Sequence, residues 1–288
     1  MDRRGFTHFK IVCVIGSMIM AGISALANTD HPAMKPSPDE ALQILKEGNG
    51  RFMKGESQHP NSTKERLILA GKENQGDYAI ATVVTCSDSR VPVERVFDAG
   101  VMDIFVIRIA GNVCDIDEVG SIEYGLAHVH TPVLVILGHT QCGAVTAVCN
   151  MLEGKAGPLE KNIPPLIDNI FPAARKTMQA NPTLHGSPLI EAAVEQNVYQ
   201  GIEDLFKKSL DTRELVNQGK VKVLGAIYDV GTGEIRWLDE KKPLEILKQI
   251  ESDSSRPAEK PNTHAPSPTA KVGQPAPHLA PAPLTAKH

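Results

Sequence analysis

Between Ser37 and Glu251, short apolar runs alternate with longer amphipathic stretches. Ala79–Thr85, Ile104–Ile109, Val133–Leu137 and Val221–Ile227 are almost continuously apolar and β-branched. Runs of this length, apolar on both side-chain periods, predict parallel strands covered on both faces. The stretches between them predict helices. Ser37-Pro38-Asp39-Glu40 is a helix start, with a capping Ser, Pro in the first turn and Glu three residues after the Ser. Ala41, Leu42, Leu45 and Phe52 supply its apolar face. Further helices are expected at Val119–His130 with Asp117 as cap, at Cys142–Leu152 and at Leu189–Leu210. Ile235–Leu238, after Gly231-Thr232-Gly233, predicts a short edge strand near the C-terminal end of this region. The fold class is α/β: a central, mostly parallel sheet flanked by helices, joined by right-handed crossovers.

The two ends follow neither period. Arg3, Arg4 and Lys10 precede an apolar run from Ile11 to about Ala25, and Ala25-Leu26-Ala27 offers a small-x-small cleavage site. That order predicts a secretory signal over residues 1–27 and export to the periplasm, with no stable membrane insertion once it is removed. Arg3-Arg4-Gly5-Phe6 also resembles the core of a twin-arginine signal, although Asp2 and Thr7 depart from its flanks. Residues 28–36 read as a linker and 37–251 as the folded domain. From residue 252 onward the chain reads as a disordered tail rich in Pro and Ala, holding eight of the 21 prolines.

Composition changes this picture only at the margin. The 288 residues are 41% hydrophobic and 22% charged, with a formal net charge of −4, which excludes fibrous and multi-span membrane classes. Residues 1–27 carry a net +2 (Arg3, Arg4 and Lys10 against Asp2), so the exported chain carries −6. An acidic balance gives no footprint for nucleic acid.

In open parallel sheets, ligands bind beyond the carboxyl ends of the strands. There this chain places Cys86-Ser87-Asp88-Ser89-Arg90 after one run and Gly138-His139-Thr140-Gln141-Cys142-Gly143 after another. Two thiolates and an imidazole suit zinc, and three protein ligands leave one tetrahedral position open, as catalytic sites do. Cys142 near a helix start favours its thiolate. Gly138 and Gly143 are expected to let the backbone turn tightly around the metal. Asp88 and Arg90, two residues apart, can pair, the guanidinium fixing the carboxylate. Freed from Arg90, Asp88 could fill the fourth zinc position, a closed state that low pH would favour. In an exported protein, Cys86 and Cys142 could instead join as a disulfide in a binding protein without metal.

Cys-Ser-Asp-Ser-Arg followed by Gly-His-Thr-Gln-Cys-Gly-Ala resembles the β-class carbonic anhydrases. Val91-Pro92-Val93-Glu94, Phe105-Val106-Ile107-Arg108, Ala110-Gly111-Asn112, Ser121-Ile122-Glu123-Tyr124, Glu195-Gln196-Asn197-Val198 and Gly225-Ala226-Ile227-Tyr228 extend the likeness over residues 38–245. The resemblance implies a bacterial enzyme that hydrates carbon dioxide reversibly to bicarbonate and a proton by zinc-bound hydroxide. It implies one Zn2+ per subunit on Cys86, His139 and Cys142, with Asp88 and Arg90 as catalytic dyad. It also implies a homodimer or dimer of dimers, with sites near subunit interfaces and the first helix packed on the partner. Where many relatives carry Gln, this chain has Ala99. A relative acting on carbonyl sulfide or carbon disulfide is the alternative that this departure raises. Phe97, Val101 and Gly143 are the expected pocket residues, and His128 and His130 the candidate proton shuttles. Glu123 and Tyr124 read as interface or packing residues. Cys13 leaves with the signal, while Cys114 and Cys149 read as buried residues or as a disulfide pair.

Overall fold

The computed structural model describes residues 35–255. The expected signal, with Cys13, and nearly all of the Pro-rich tail lie outside the described residues.

Helix α1 (Pro38–Lys54) opens the described chain, and α2 (Lys64–Ala70) follows. Strand β1 (Ala81–Thr85), the single turn α3 (Val93–Val96), β2 (Ile104–Arg108) and α4 (Ile116–Ala127) come next. Then come β3 (Val133–His139), α5 (Gly143–Leu152), α6 (Ile163–Ile167), α7 (Phe171–Ala180), α8 (Ser187–Lys208) and α9 (Leu210–Asn217). Strands β4 (Lys222–Tyr228) and β5 (Ile235–Trp237) and helix α10 (Lys242–Ser252) complete it.

The sheet runs β2-β1-β3-β4-β5, parallel except for β5, which pairs antiparallel with β4 at the edge. Both faces are covered, so the strands are apolar on both periods. Val133, Val135 and Leu137 enter one core with Ala41, Leu42 and Leu45 of α1. Leu134 and Ile136 enter the other with residues of α4, α5 and α8. The Ser37 capping box on α1 forms as the sequence predicts: Ser37 Oγ accepts from Glu40 N–H, and the Glu40 carboxylate accepts from Ser37 N–H at 2.8 Å.

Most boundaries shift by a residue or two, and two differences have a clear cause. Helix α4 starts at Ile116 on Asp115, not on Asp117, and ends at Ala127. Asp115 has Glu118 three residues on, whose carboxylate accepts from Asp115 N–H at 3.1 Å; Asp117 is followed there by Gly120, which has no such group. The long helix stops at Lys208 because Ser209 leaves helical geometry (ψ 105°) and caps α9, accepting from Thr212 N–H at 3.1 Å. Leu210 therefore begins a new helix.

Helix α8 lies close on the sheet because two strand positions have no side chain. A Cβ at Gly138 would come within 2.8 Å of Val198, and one at Gly225 within 2.9 Å of the same residue. No helix among the described residues is long and apolar enough to cross a membrane.

Candidate metal centre

Strands β1 and β3 are parallel neighbours, with Thr85 opposite Leu137. β1 therefore ends two residues short of β3, and Cys86, just past β1, and His139, the last residue of β3, share one crevice. The chain then turns from β3 into α5 through Gln141, whose φ is 57°, and Cys142 occupies the N-cap of α5. Gly138 and Gly143 were expected to make this turn, but neither has positive φ. Gly138 serves close packing under Val198, and a Cβ at Gly143 would meet nothing within 4 Å.

The ligand atoms of Cys86, His139 and Cys142 lie within 4.8 Å of one another, and all three residues are buried. His139 Nδ1 is 2.9 Å from Thr140 O, which assigns the ring proton to Nδ1. Nε2 is buried with no hydrogen-bond partner in the protein. A buried acceptor without a partner is costly, and this one stands beside two sulfurs. The donor set fits a zinc ion: two sulfurs and an imidazole nitrogen whose second nitrogen is already oriented by a carbonyl.

The thiols are not equivalent. The Cys142 thiol donating to Cys86 lowers Cys86 to about 4 against the opposing effect of burial, helped by His139 and by the N–H groups of Gly111 and Asp88. Cys142 is pushed up by the neighbouring Cys86 and by burial, while the N–H groups of Val145 and Ala144 at the start of α5 pull it down. A bound cation would favour release of the second proton from this pair.

Asp88 sits at the rim. Arg90 holds it through Nη2–Oδ2 at 2.7 Å and Nε–Oδ1 at 3.0 Å, and the Arg90 N–H donates to Oδ1 at 2.9 Å. These bonds keep the Asp88 carboxyl well below the usual carboxylate range. Asp88 Oδ2 is 4.0 Å from His139 Nε2, so the carboxylate borders the metal position while paired with Arg90. Arg90 in turn donates to the Gln141 backbone oxygen at 3.1 Å, and Arg108 donates to the backbone oxygens of Asp88 at 2.6 Å and Cys86 at 3.2 Å.

Other expected residues are placed as follows. Phe97 is 2% exposed and packs against Trp237 with ring centroids 6.3 Å apart. Val101 is half-buried, its N–H donating to Asn61 O at 3.0 Å, and Gly143 is exposed in the first turn of α5. Ala99 is half-buried, and its N–H donates to Glu94 O at 2.7 Å. His128 and His130 lie at the other end of β3 from His139, roughly 20 Å away for a seven-residue strand. His128 caps α4 and stacks on Tyr124, so neither histidine reaches the centre to carry a proton. Cys86, Cys114, Cys142 and Cys149 are all buried and free, so neither disulfide that the sequence allowed is formed.

Sequence reading missed Ile170 and Asn197 as neighbours of this site. Ile170 Cδ1 would meet a Cβ on Gly111 at 2.5 Å, and Asn197 Nδ2 donates to Gly111 O at 2.7 Å. The likeness of residues 195–198 to family segments was the one signal at Asn197.

Comparison with known proteins gives a consistent result. The carbonic anhydrase family profile matches residues 81–235. Carbonic anhydrase 2 of Mycobacterium tuberculosis is 31% identical over 198 residues, 68% of this chain and 91% of that protein. A carbonic anhydrase of Mycolicibacterium smegmatis is 31% identical over 199 residues, 69% of this chain and 92% of its own. Among solved structures, the β-carbonic anhydrase CafA of Aspergillus fumigatus is similar with a TM-score of 0.56 and 27% identity, covering 74% of this chain and 95% of that one.

Proposed function

This chain belongs to the carbonic anhydrase family, in its β class, and on that premise we propose that Cys86, His139 and Cys142 hold its zinc while Asp88 and Arg90 act as catalytic dyad. The protein is a lyase that interconverts carbon dioxide and bicarbonate. The observation that carries the site assignment is the buried, unpartnered Nε2 of His139 among two sulfurs.

Zinc, when bound, acidifies water so that hydroxide is available near neutral pH. Thiolates donate more charge than imidazoles, so this donor set acidifies water less than three histidines would. The chain's own residues do the rest. Thr140 O holds the His139 proton on Nδ1 and keeps Nε2 free. Arg90 keeps Asp88 ionised and turned to the rim, where its free lone pairs would accept a hydrogen bond from the nucleophile and orient it. Arg108 fixes the backbone of residues 86–88, on which both the sulfur and the carboxylate depend. Stopped-flow carbon dioxide hydration, with zinc measured on the same sample, tests the assignment. About one zinc per chain and loss of both zinc and activity in His139→Ala are expected. A His139→Ala variant with full zinc would overturn it.

A homodimer or dimer of dimers is the second part of the proposal. Strand β2 pairs only with β1 among the described residues, and an open edge of this kind favours a partner. Beside it Tyr124 is 51% exposed and packs at a tilt against Phe105, and Ile116 is 71% exposed. Light scattering on Tyr124→Lys, expected to shift mass toward the monomer, tests this face. Export to the periplasm is the third part, supported by Arg3, Arg4, Lys10, the apolar run from Ile11 to about Ala25 and the Ala25-Leu26-Ala27 site. The N-terminal mass of protein recovered from the periplasm is expected to correspond to cleavage after Ala27.

A further inference from the structure

Cys86 receives a hydrogen bond from the backbone of a glycine. Gly111 N–H donates to Cys86 Sγ at 3.4 Å. Gly111 has φ 81°, in the left-handed region, and without a side chain it is the residue least able to hold one conformation unaided. Something else must fix its peptide planes if the N–H is to stay on the sulfur. Ile170 and Ala144 crowd the space where its Cβ would stand, which limits the residue type but does not orient the carbonyl.

The orienting group is Asn197. Its amide Nδ2 donates to Gly111 O at 2.7 Å, and the side chain is 2% exposed. With the N–H directed to Cys86 and the carbonyl directed to Asn197, both dihedrals of Gly111 are determined. The next residue of α8, Val198, seats the helix against Gly138 and Gly225 and so sets the depth at which Asn197 meets the loop. We propose that Asn197 is a positioning residue of the metal centre, acting through Gly111 to hold the hydrogen bond on the Cys86 sulfur. Outer groups of this kind tune both the affinity of a site and the charge its ligands donate.

This inference rests on the zinc assignment, and the test separates the two. Cobalt(II) replaces zinc in the mature protein, and its sulfur-to-cobalt charge-transfer band and zinc affinity are measured. Asn197→Leu and Asn197→Asp remove the donor while keeping the branching and number of side-chain heavy atoms. Leu205→Ala, in the buried face of the same helix, controls for loss of stability. If the unaltered protein takes up neither metal, the zinc assignment itself fails. If it does, the donor-deficient variants are expected to lose about 10–100-fold in zinc affinity. Their charge-transfer band should move to lower energy and their hydration pH profile to higher pH. Leu205→Ala, at equal or lower melting temperature, should keep band and profile. Unchanged affinity and band in the Asn197 variants, or equal changes in Leu205→Ala, would overturn the proposal. So would failure of both Asn197 variants to fold where Leu205→Ala folds, because Asn197 would then serve the fold and not the sulfur.

Discussion

Arg90 grips Asp88 through two parallel bonds, at 2.7 and 3.0 Å, while Asp88 stands 4.0 Å from the unpartnered Nε2 of His139. The carboxylate therefore borders the three candidate ligands while Arg90 holds it. Asp88→Asn should keep zinc and lose about 10²-fold in kcat, the usual cost of a misoriented reacting group. Arg90→Lys, which cannot reproduce the fork, should lose less. Stopped-flow hydration beside zinc analysis reads both, and full activity of Asp88→Asn at neutral pH would remove Asp88 from the mechanism.

The four buried thiols should separate by reactivity once zinc is chelated. Cys86 is lowered to about 4, chiefly by the Cys142 thiol, and offers a thiolate. Burial pushes Cys149 up to about 11 and holds Cys114 well above the ordinary thiol range. Limited alkylation of the chelated protein, read by peptide mass, should modify Cys86 first and leave Cys114 and Cys149 intact. Equal labelling of Cys114 would contradict the packing described. In the zinc-loaded protein all four should be protected.

Acid stability should depend on Asp98, whose side chain is fully buried. It accepts from Arg51 at 2.6 Å and from the N–H groups of Gln58 at 3.0 Å and His59 at 2.9 Å. Burial alone would raise its pKa, but these donors win and hold it below the ordinary value. Stabilisation from a depressed carboxylate is complete above its unfolded pKa, roughly 3.9, and fades as pH falls toward the folded value. Asp98→Asn should therefore destabilise by about 1–3 kcal/mol at pH 7, the usual cost of leaving buried hydrogen-bonding groups unmatched. It should also flatten the decline of stability below about pH 4. Urea unfolding of both proteins at pH 3 and pH 7 measures it.

Gly111→Ala should damage both fold and site. A Cβ there would lie 2.5 Å from Ile170 Cδ1, and φ 81° costs an alanine about 1–2 kcal/mol. The expected result is a lower melting temperature together with weaker zinc retention during dialysis against chelator. Loss of stability with unchanged zinc retention would show that the loop adapts without moving its N–H from Cys86.

The fold was legible where local pattern and covering coincide. Val133–Leu137 is apolar at every position because α1 and α8 bury its opposite faces, and that pattern needs no knowledge of partners. Cys86 and His139 were legible because both stand at the carboxyl ends of neighbouring parallel strands, where residues after two apolar runs meet. The Gln141 turn was not, because left-handed geometry at a residue other than glycine leaves no mark on composition. Nor was the Asn197–Gly111 bond, which joins residues 86 positions apart through the depth at which α8 packs. Asp115 was readable but passed over: its Glu118 partner stood three residues on, the same signal that located the start of α1 at Ser37.

Substrate choice should respond to position 99. Ala99 sits between α3 and β2 with its backbone N–H committed to Glu94 O, so it offers only a methyl group. A glutamine there would present an amide that can donate to a substrate oxygen. Ala99→Gln should therefore raise kcat/KM for carbon dioxide by roughly fivefold, the equivalent of one net hydrogen bond of ~1 kcal/mol. Carbonyl sulfide gains less, because one of its two terminal atoms is sulfur, a weak acceptor. The ratio of the two activities should rise toward carbon dioxide, measured in parallel on the unaltered protein and Ala99→Gln. A rise of both by the same factor would mean that the amide orders the loop without addressing the substrate. No change in either would mean that position 99 does not face the reacting molecule.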